Sequence, residues 1–390
     1  MKLFLVAGEA SGDKLGAALM DGLRSLTDVS FTGVGGAQME ARGLESLFPM
    51  EELSVMGIAE VLPKYRQLKR RIAETAQAVL DSGAEALITI DSPDFCLRVA
   101  RIVKAAKPGL RTIHYVAPSV WAWRPGRAAK MARVIDHVLA LLPFEPPYMQ
   151  AAGMSCDFVG HPVVAERRAT PEQATEFRET LMIGPEQPLV LCLPGSRRGE
   201  VTRLAPRFAE ALDRLRADQP GLRVVVPTVR GVATMVRDIV AEWPVAPIVV
   251  EAPEDRLAAF AAADLALAAS GTVSLELAAN RVPMVIAYDA SWLSWHIVWN
   301  MLRVDTVTLV NLVSETRAIP EFLGPKCRPG PIAESLAALL GNPAAREAQL
   351  AAMNETMHRL GEGGEPPGLR AARSVLAELQ AGSSGITSTA

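Results

Sequence analysis

The segment Leu193-Pro-Gly-Ser-Arg197 puts a glycine turn, a hydroxyl and a guanidinium directly after the short apolar run 189–193. A helix pattern follows through Leu204, Phe208 and Leu212, with Ser196 as a candidate N-cap. Free backbone N–H groups and the positive end of the helix dipole then converge on one point, which suits an anion. Arg197 could fork onto phosphate oxygens. Gly195, Ser196 and Arg197 are therefore anion-site candidates; an ordinary strand-to-helix loop with a solvated arginine is the competing reading. The segment Ala269-Ser-Gly-Thr272 repeats the arrangement, which adds Ser270, Gly271 and Thr272. Glu276, one turn into the next helix, could accept from a ribose diol or join a cap with Thr272. Nearer the N-terminus, Ile90-Asp-Ser-Pro-Asp-Phe95 places Asp91 and Asp94 at the end of a buried run, where open α/β sheets bind ligands. Asp94 reads first as the N-cap of the following helix, 95–106. Glu9, in the turn Gly8-Glu-Ala-Ser-Gly-Asp13, is a third acid, and His114 ends another run.

Such turns need rigid sheets behind them. Apolar runs at 3–7, 31–34, 86–90, 112–115 and 138–142 alternate with helix patterns. A second series at 189–193, 223–227, 247–250, 265–268 and 283–287 repeats the scheme. Short continuous apolar runs separated by helices imply parallel strands covered on both faces. The expected fold is thus α/β with two doubly wound parallel sheets. The chain of 390 residues is long for a single domain. The expected division is 1–165, then 166–380 including the C-terminal helices, then a frayed tail 381–390. A nicotinamide site is disfavoured, because the first glycine turn lacks G-x-G-x-x-G spacing.

Composition narrows the function classes. A formal charge of −3 and the absence of a basic tail give no nucleic-acid signal. Four scattered cysteines suit free thiols in a reducing compartment. No uninterrupted apolar run reaches the roughly 18 to 20 residues of a membrane span. The Trp-rich stretch near 290–303 comes nearest, but His296, Asn300 and Arg303 break it. Between 53 and 71, Leu53, Val55, Met56, Ile58, Val61, Leu62 and Leu68 are interleaved with Arg66, Lys69 and Arg71. That pattern suits either an anionic bilayer surface or a core helix with a solvated basic face. Trp292, Trp295 and Trp299 form one helical stripe, for which core packing and a membrane boundary are both open.

Taken together, several ordered segments resemble the lipid-A-disaccharide synthases, bacterial glycosyltransferases of the GT-B architecture. They include Ala7-Gly-Glu-Ala-Ser-Gly-Asp13, Ile90-Asp-Ser-Pro-Asp-Phe95, His114-Tyr-Val-Ala-Pro-Ser-Val-Trp-Ala-Trp-Arg124, Leu142-Pro-Phe-Glu145, Leu193-Pro-Gly-Ser-Arg197, Ala269-Ser-Gly-Thr272 and Asn311-Leu312. The run from His114 to Arg124 is the most specific of them.

The resemblance implies two Rossmann-like domains facing a cleft, lipid acceptor on the first and UDP-sugar on the second. It implies inverting transfer from UDP-2,3-diacylglucosamine to the 6-hydroxyl of 2,3-diacylglucosamine 1-phosphate (lipid X). The products are a β-1,6 disaccharide 1-phosphate and UDP. No metal or other cofactor is expected. Inversion needs one base, assigned to Asp91, with Asp94 or His114 as fallback and Glu9 positioning the acceptor. Arg197 and the two turns would neutralise departing UDP, and Asn311 would hold sugar or phosphate. Val55, Met56, Ile58, Val61, Leu62, Arg66, Lys69 and His114 would face the lipid. The implied location is cytoplasmic, peripheral on the cytoplasmic face of the inner membrane, without nucleic acid. The C-terminal helices could fold back or exchange in a homodimer. One departure is Gly324, where family members commonly carry Gln. Competing readings on this frame are a UDP-GlcNAc 2-epimerase, a murein-type GlcNAc transferase, or a non-catalytic nucleotide-sugar or lipid-binding module.

Overall fold

The computed structural model describes residues 1–53, 58–290 and 301–384, excepting the side chains of 58–65 and 382–384. Val55, Met56, Trp292, Trp295 and Trp299 lie outside the described residues, as do the side chains of Ile58, Val61 and Leu62. The chain divides into two compact units, Met1–Pro162 with Gly363–Ala390, and Val163–Glu362.

In the first unit seven strands form one parallel sheet in the order β3-β2-β1-β4-β5-β6-β7. They are β1 (Lys2–Ala7), β2 (Ser30–Val34), β3 (Glu45–Ser46), β4 (Ala86–Ile90), β5 (Arg111–Tyr115), β6 (His137–Ala140) and β7 (Ser155–Phe158). In the second, six parallel strands run β10-β9-β8-β11-β12-β13. These are β8 (Leu189–Leu193), β9 (Arg223–Pro227), β10 (Ile248–Val250), β11 (Leu265–Ala269), β12 (Met284–Tyr288) and β13 (Glu321–Leu323). Every residue of β4, β8 and β11 is buried, as strands with helices on both faces require. Each sheet reverses its winding at one place, between β1 and β4 and between β8 and β11. Ligands of open α/β sheets bind at such reversals, beyond the carboxyl ends of the strands.

The segments β3, β7 and β13, which periodicity does not suggest, are short strands next to or at a sheet edge, with polar residues exposed or half-buried. The C-terminal part also departs from expectation. Helices Pro329–Gly341 and Pro343–Arg359 belong to the second unit, but Pro367–Ser384 belongs to the first. It packs on the helix Ala10–Leu26 so closely that a Cβ on Gly368 would lie 2.5 Å from the Ala18 carbonyl oxygen. Ala371, Ala372 and Val375 join the core around Leu3, Leu5 and Leu19. Buried His137 bonds Ser374 at 2.8 Å, Ser374 donates to Asp157 at 2.6 Å, and Arg370 donates to the Phe158 carbonyl at 2.8 Å. The last helix thus groups with the first unit and not with the expected 166–380 division, and it extends to Ser384, into the expected tail.

Candidate active site

In the first unit the turn after β1 meets the turn after β4. Gly8 is required by proximity, since a Cβ there would sit 2.5 Å from Ser92 Oγ. Asp91 and Ser92 both have left-handed backbones, φ 53° and 43°. Such residues cost of order 1–3 kcal/mol each and persist where surroundings over-determine them. Here the Asp91 amide donates to the Tyr115 carbonyl at 3.0 Å. Its carboxylate accepts from the Ser92 amide at 2.9 Å and from Ser11 Oγ at 3.2 Å. Both oxygens are thus oriented while the side chain stays half-buried. Glu9 holds the N-cap position of the helix Ala10–Leu26, next to this contact. Asp13, the last residue of that motif, is buried and accepts from the Gly36, Gln38 and Met39 amides at 2.9–3.0 Å, a purely structural clamp.

Asp94 proves to be neither a cap nor a partner of Asp91. Ser92 is the N-cap of the helix Pro93–Ala106, and Asp94 is an exposed residue of its first turn. His114 is buried within the sheet, with Nδ1 2.7 Å from Thr89 Oγ1 on β4. Burial, helped by the Arg127 charge, lowers its pKa to about 4. It is a satisfied core histidine, unsuited to act as base or to face lipid. Leu53 and Leu68 pack against the first unit's core. Arg71 lies over Phe48 and forks onto Glu52, which leaves Arg66, Lys69 and Arg70 as the exposed cations among the described side chains of that stretch.

The loop from Pro118 to Arg124 is anchored by a group that patterning alone does not single out. Buried Glu145 accepts from Trp121 Nε1 at 3.2 Å and from the Leu141 and Leu142 amides at 3.2 and 3.0 Å. Trp121 also meets Phe144 edge-on. Burial dominates over these donors and pushes Glu145 up to about 7.

In the second unit, Gly195, Ser196, Arg197, Ser270, Gly271, Thr272 and Glu276 line one cavity of about 390 Å³ beyond β8, β9 and β11. Gly195 turns with φ 118°, a conformation that favours glycine. The helix Arg198–Asp218 has Arg197, not Ser196, at its N-cap position. Arg197 is two-thirds exposed, with Glu200 3.5 Å away. Thr228 and Arg256, which the sequence does not single out, line the same cavity. Among the described residues, Thr228 Oγ1 and Arg256 Nε are buried polar atoms without a hydrogen-bond partner. Unsatisfied buried groups are costly. Asn311, by contrast, is fully buried. Its amide donates to Thr306 Oγ1 and the Ile319 carbonyl and accepts from the Ile319 amide at 3.0 Å, so it fastens a loop and does not reach a ligand.

A sequence profile of the family described as "Lipid-A-disaccharide synthetase" matches residues 3–365. The chain belongs to the lipid-A-disaccharide synthase family. It is 63% identical over 388 residues to the synthase of Ruegeria pomeroyi, covering 97% of this chain and 96% of that protein. It is 48% identical over 376 residues to that of Rhodospirillum centenum, covering 96% and 94%. As a member of this family the chain is a glycosyltransferase. Among solved structures it resembles a UDP-GlcNAc 2-epimerase from Neisseria meningitidis bound to UDP-GlcNAc, with a TM-score of 0.67 at 12% identity, covering 98% and 100%. A glycosyltransferase from Rickettsia africae gives a TM-score of 0.59 at 11% identity, covering 98% of each chain. At that identity the likeness concerns the GT-B fold alone. Among the described residues no helix is long and apolar enough to cross a membrane.

Proposed function

We propose that the chain transfers diacylglucosamine from its UDP-activated form to the 6-hydroxyl of 2,3-diacylglucosamine 1-phosphate with inversion. The acceptor oxygen bonds the anomeric carbon as the bond to the UDP oxygen breaks. The hydroxyl proton passes to Asp91, late in the attack, as suits a carboxylate base. The negative charge that develops on UDP is taken up by Arg197 and the turns at 195–197 and 270–272. Glu276 takes the ribose diol. The observation that carries the reading is the shared cavity of both turns, which Thr228 and Arg256 also line. Arginine and backbone amides suffice for the leaving charge, so the reaction is metal-free in this reading. Exposed Arg66, Lys69 and Arg70 support peripheral attachment to an anionic bilayer, on the cytoplasmic face of the inner membrane.

The test is UDP release. UDP formed only when both diacyl substrates are present, and undiminished by EDTA, supports the proposal. Turnover of UDP-GlcNAc without a lipid acceptor would count against it.

A further inference from the structure

The first unit holds another cavity, of about 610 Å³, whose lining charge is lopsided. Arg98 and Arg101 line it from the helix Pro93–Ala106, Arg124 from the end of the anchored loop, and Arg127 and Lys130 from the helix Gly126–Met131. Asp94 is the sole acid among the described residues that line it. The nucleotide cavity is balanced by comparison, with Arg197 and Arg256 set against Glu200 and Glu276. Two other cations of the first unit are paired with acids, Lys104 with Asp136 at 2.7 Å and Arg71 with Glu52 at 2.8 Å. Among the described residues, none of the five cations in the cavity forms an ion pair. Arg124 is braced from the side, its guanidinium 4.4 Å from the Trp123 ring centroid.

Five like charges around one concavity repel one another and focus a positive potential into it. A compact dianion relieves that repulsion, and guanidinium forks match the three terminal oxygens of a phosphate monoester. Diphosphate is already served in the second unit. Location then selects the ligand. Asp94 stands three residues after Asp91 on one connection, and three residues span at most about 11 Å. One sugar carrying a hydroxyl at one end and a phosphate at the other could join the two places. We propose that this cavity binds the 1-phosphate of the lipid acceptor and so presents its 6-hydroxyl to Asp91. The assignment rests on the acceptor proposed above.

The test is equilibrium binding of detergent-dispersed 2,3-diacylglucosamine 1-phosphate and of its dephosphorylated form, to the full chain and to the double variant R101Q/K130Q. Both positions are exposed, so the substitutions leave the core untouched. Wild type should prefer the phosphorylated lipid by about tenfold or more, as charge-assisted bonds to phosphate imply. The variant should lose most of that preference while keeping its affinity for the dephosphorylated lipid. An unchanged preference, or equal losses for both lipids, overturns the proposal. Pelleting with phosphatidylcholine vesicles, with and without phosphatidylglycerol, separates the other source of phosphate. A variant that leaves anionic vesicles yet still discriminates the two lipids would assign the cations to bilayer headgroups and overturn the acceptor site. None of these readouts needs turnover, so a wild-type chain that releases no UDP would fault the proposed reaction without touching this result.

Discussion

The hydroxyl of Ser11 donates to Oδ2 of Asp91 across 3.2 Å and ties the turn after β1 to the turn after β4. With the Ser92 amide on Oδ1, the carboxylate is aimed from both sides. Asp91→Asn preserves shape and removes basicity. Its turnover, read as UDP release, should fall by about three decades with UDP affinity little changed. A D91N enzyme within about tenfold of wild type would remove Asp91 as base. Ser11→Ala should lower kcat by about tenfold through misorientation and leave KM for the donor nearly unaltered.

Thr228 offers a second probe, beside Arg197, of the proposed UDP cavity. Arg197→Ala should weaken UDP binding and slow transfer together. Thr228→Val replaces an orphaned hydroxyl by a methyl group of similar shape. Without ligand that change should raise stability by about 1 kcal/mol, since no bond is lost and an unsatisfied group disappears. UDP affinity should fall. Calorimetric titration and thermal melting report both, and unchanged UDP affinity in T228V would show that the ligand does not pair this hydroxyl.

Asn311 should behave in the opposite way. Asn311→Ala breaks bonds to Thr306 and Ile319 inside the second unit. The expected cost is about 2–3 kcal/mol in denaturant unfolding. UDP affinity of the folded fraction should stay at the wild-type value; a large selective loss of UDP binding would return Asn311 to the ligand.

Glu145 predicts a pH signature. Its folded pKa, about 7, stands above the ordinary carboxylate value of 4.5, so the folded protein holds this proton more tightly than the unfolded chain. That contribution is complete below about pH 4.5 and is lost as pH rises through about 7. Melting temperatures followed from pH 5 to 8 should carry this decline in wild type. Glu145→Gln cannot ionise and should flatten that part of the profile; an identical slope in both proteins would place the titration elsewhere.

Both parallel sheets were legible from sequence, because β4, β8 and β11 are buried on both faces and read as short apolar runs, broken only by Thr89, with an aspartate or glycine turn directly after them. The remaining features leave no sequence pattern, for physical reasons. The short strands β3, β7 and β13 bury too little to leave a pattern. Thr228 and Arg256 enter the second unit's cavity only because β9 and the helix Pro253–Ala262 bring distant residues beside β8 and β11. Asn311 and His114 carry the right atoms for chemistry, but burial and bonding partners decide their roles, and neither can be read from residue type. The destination of Pro367–Ser384 rests on a close approach of Gly368 to Ala18 and on the His137–Ser374–Asp157 chain, each linking positions far apart in sequence.

That last helix has a consequence for biogenesis. The first unit begins with the first residue yet cannot close its core until Ala371, Ala372 and Val375 have been synthesised. A ribosome must therefore deliver the whole intervening unit before the earlier one is complete, reversing the usual amino-terminal precedence in co-translational folding. Nascent chains stalled short of position 367 should carry a protease-resistant second unit and a still-cleavable first one.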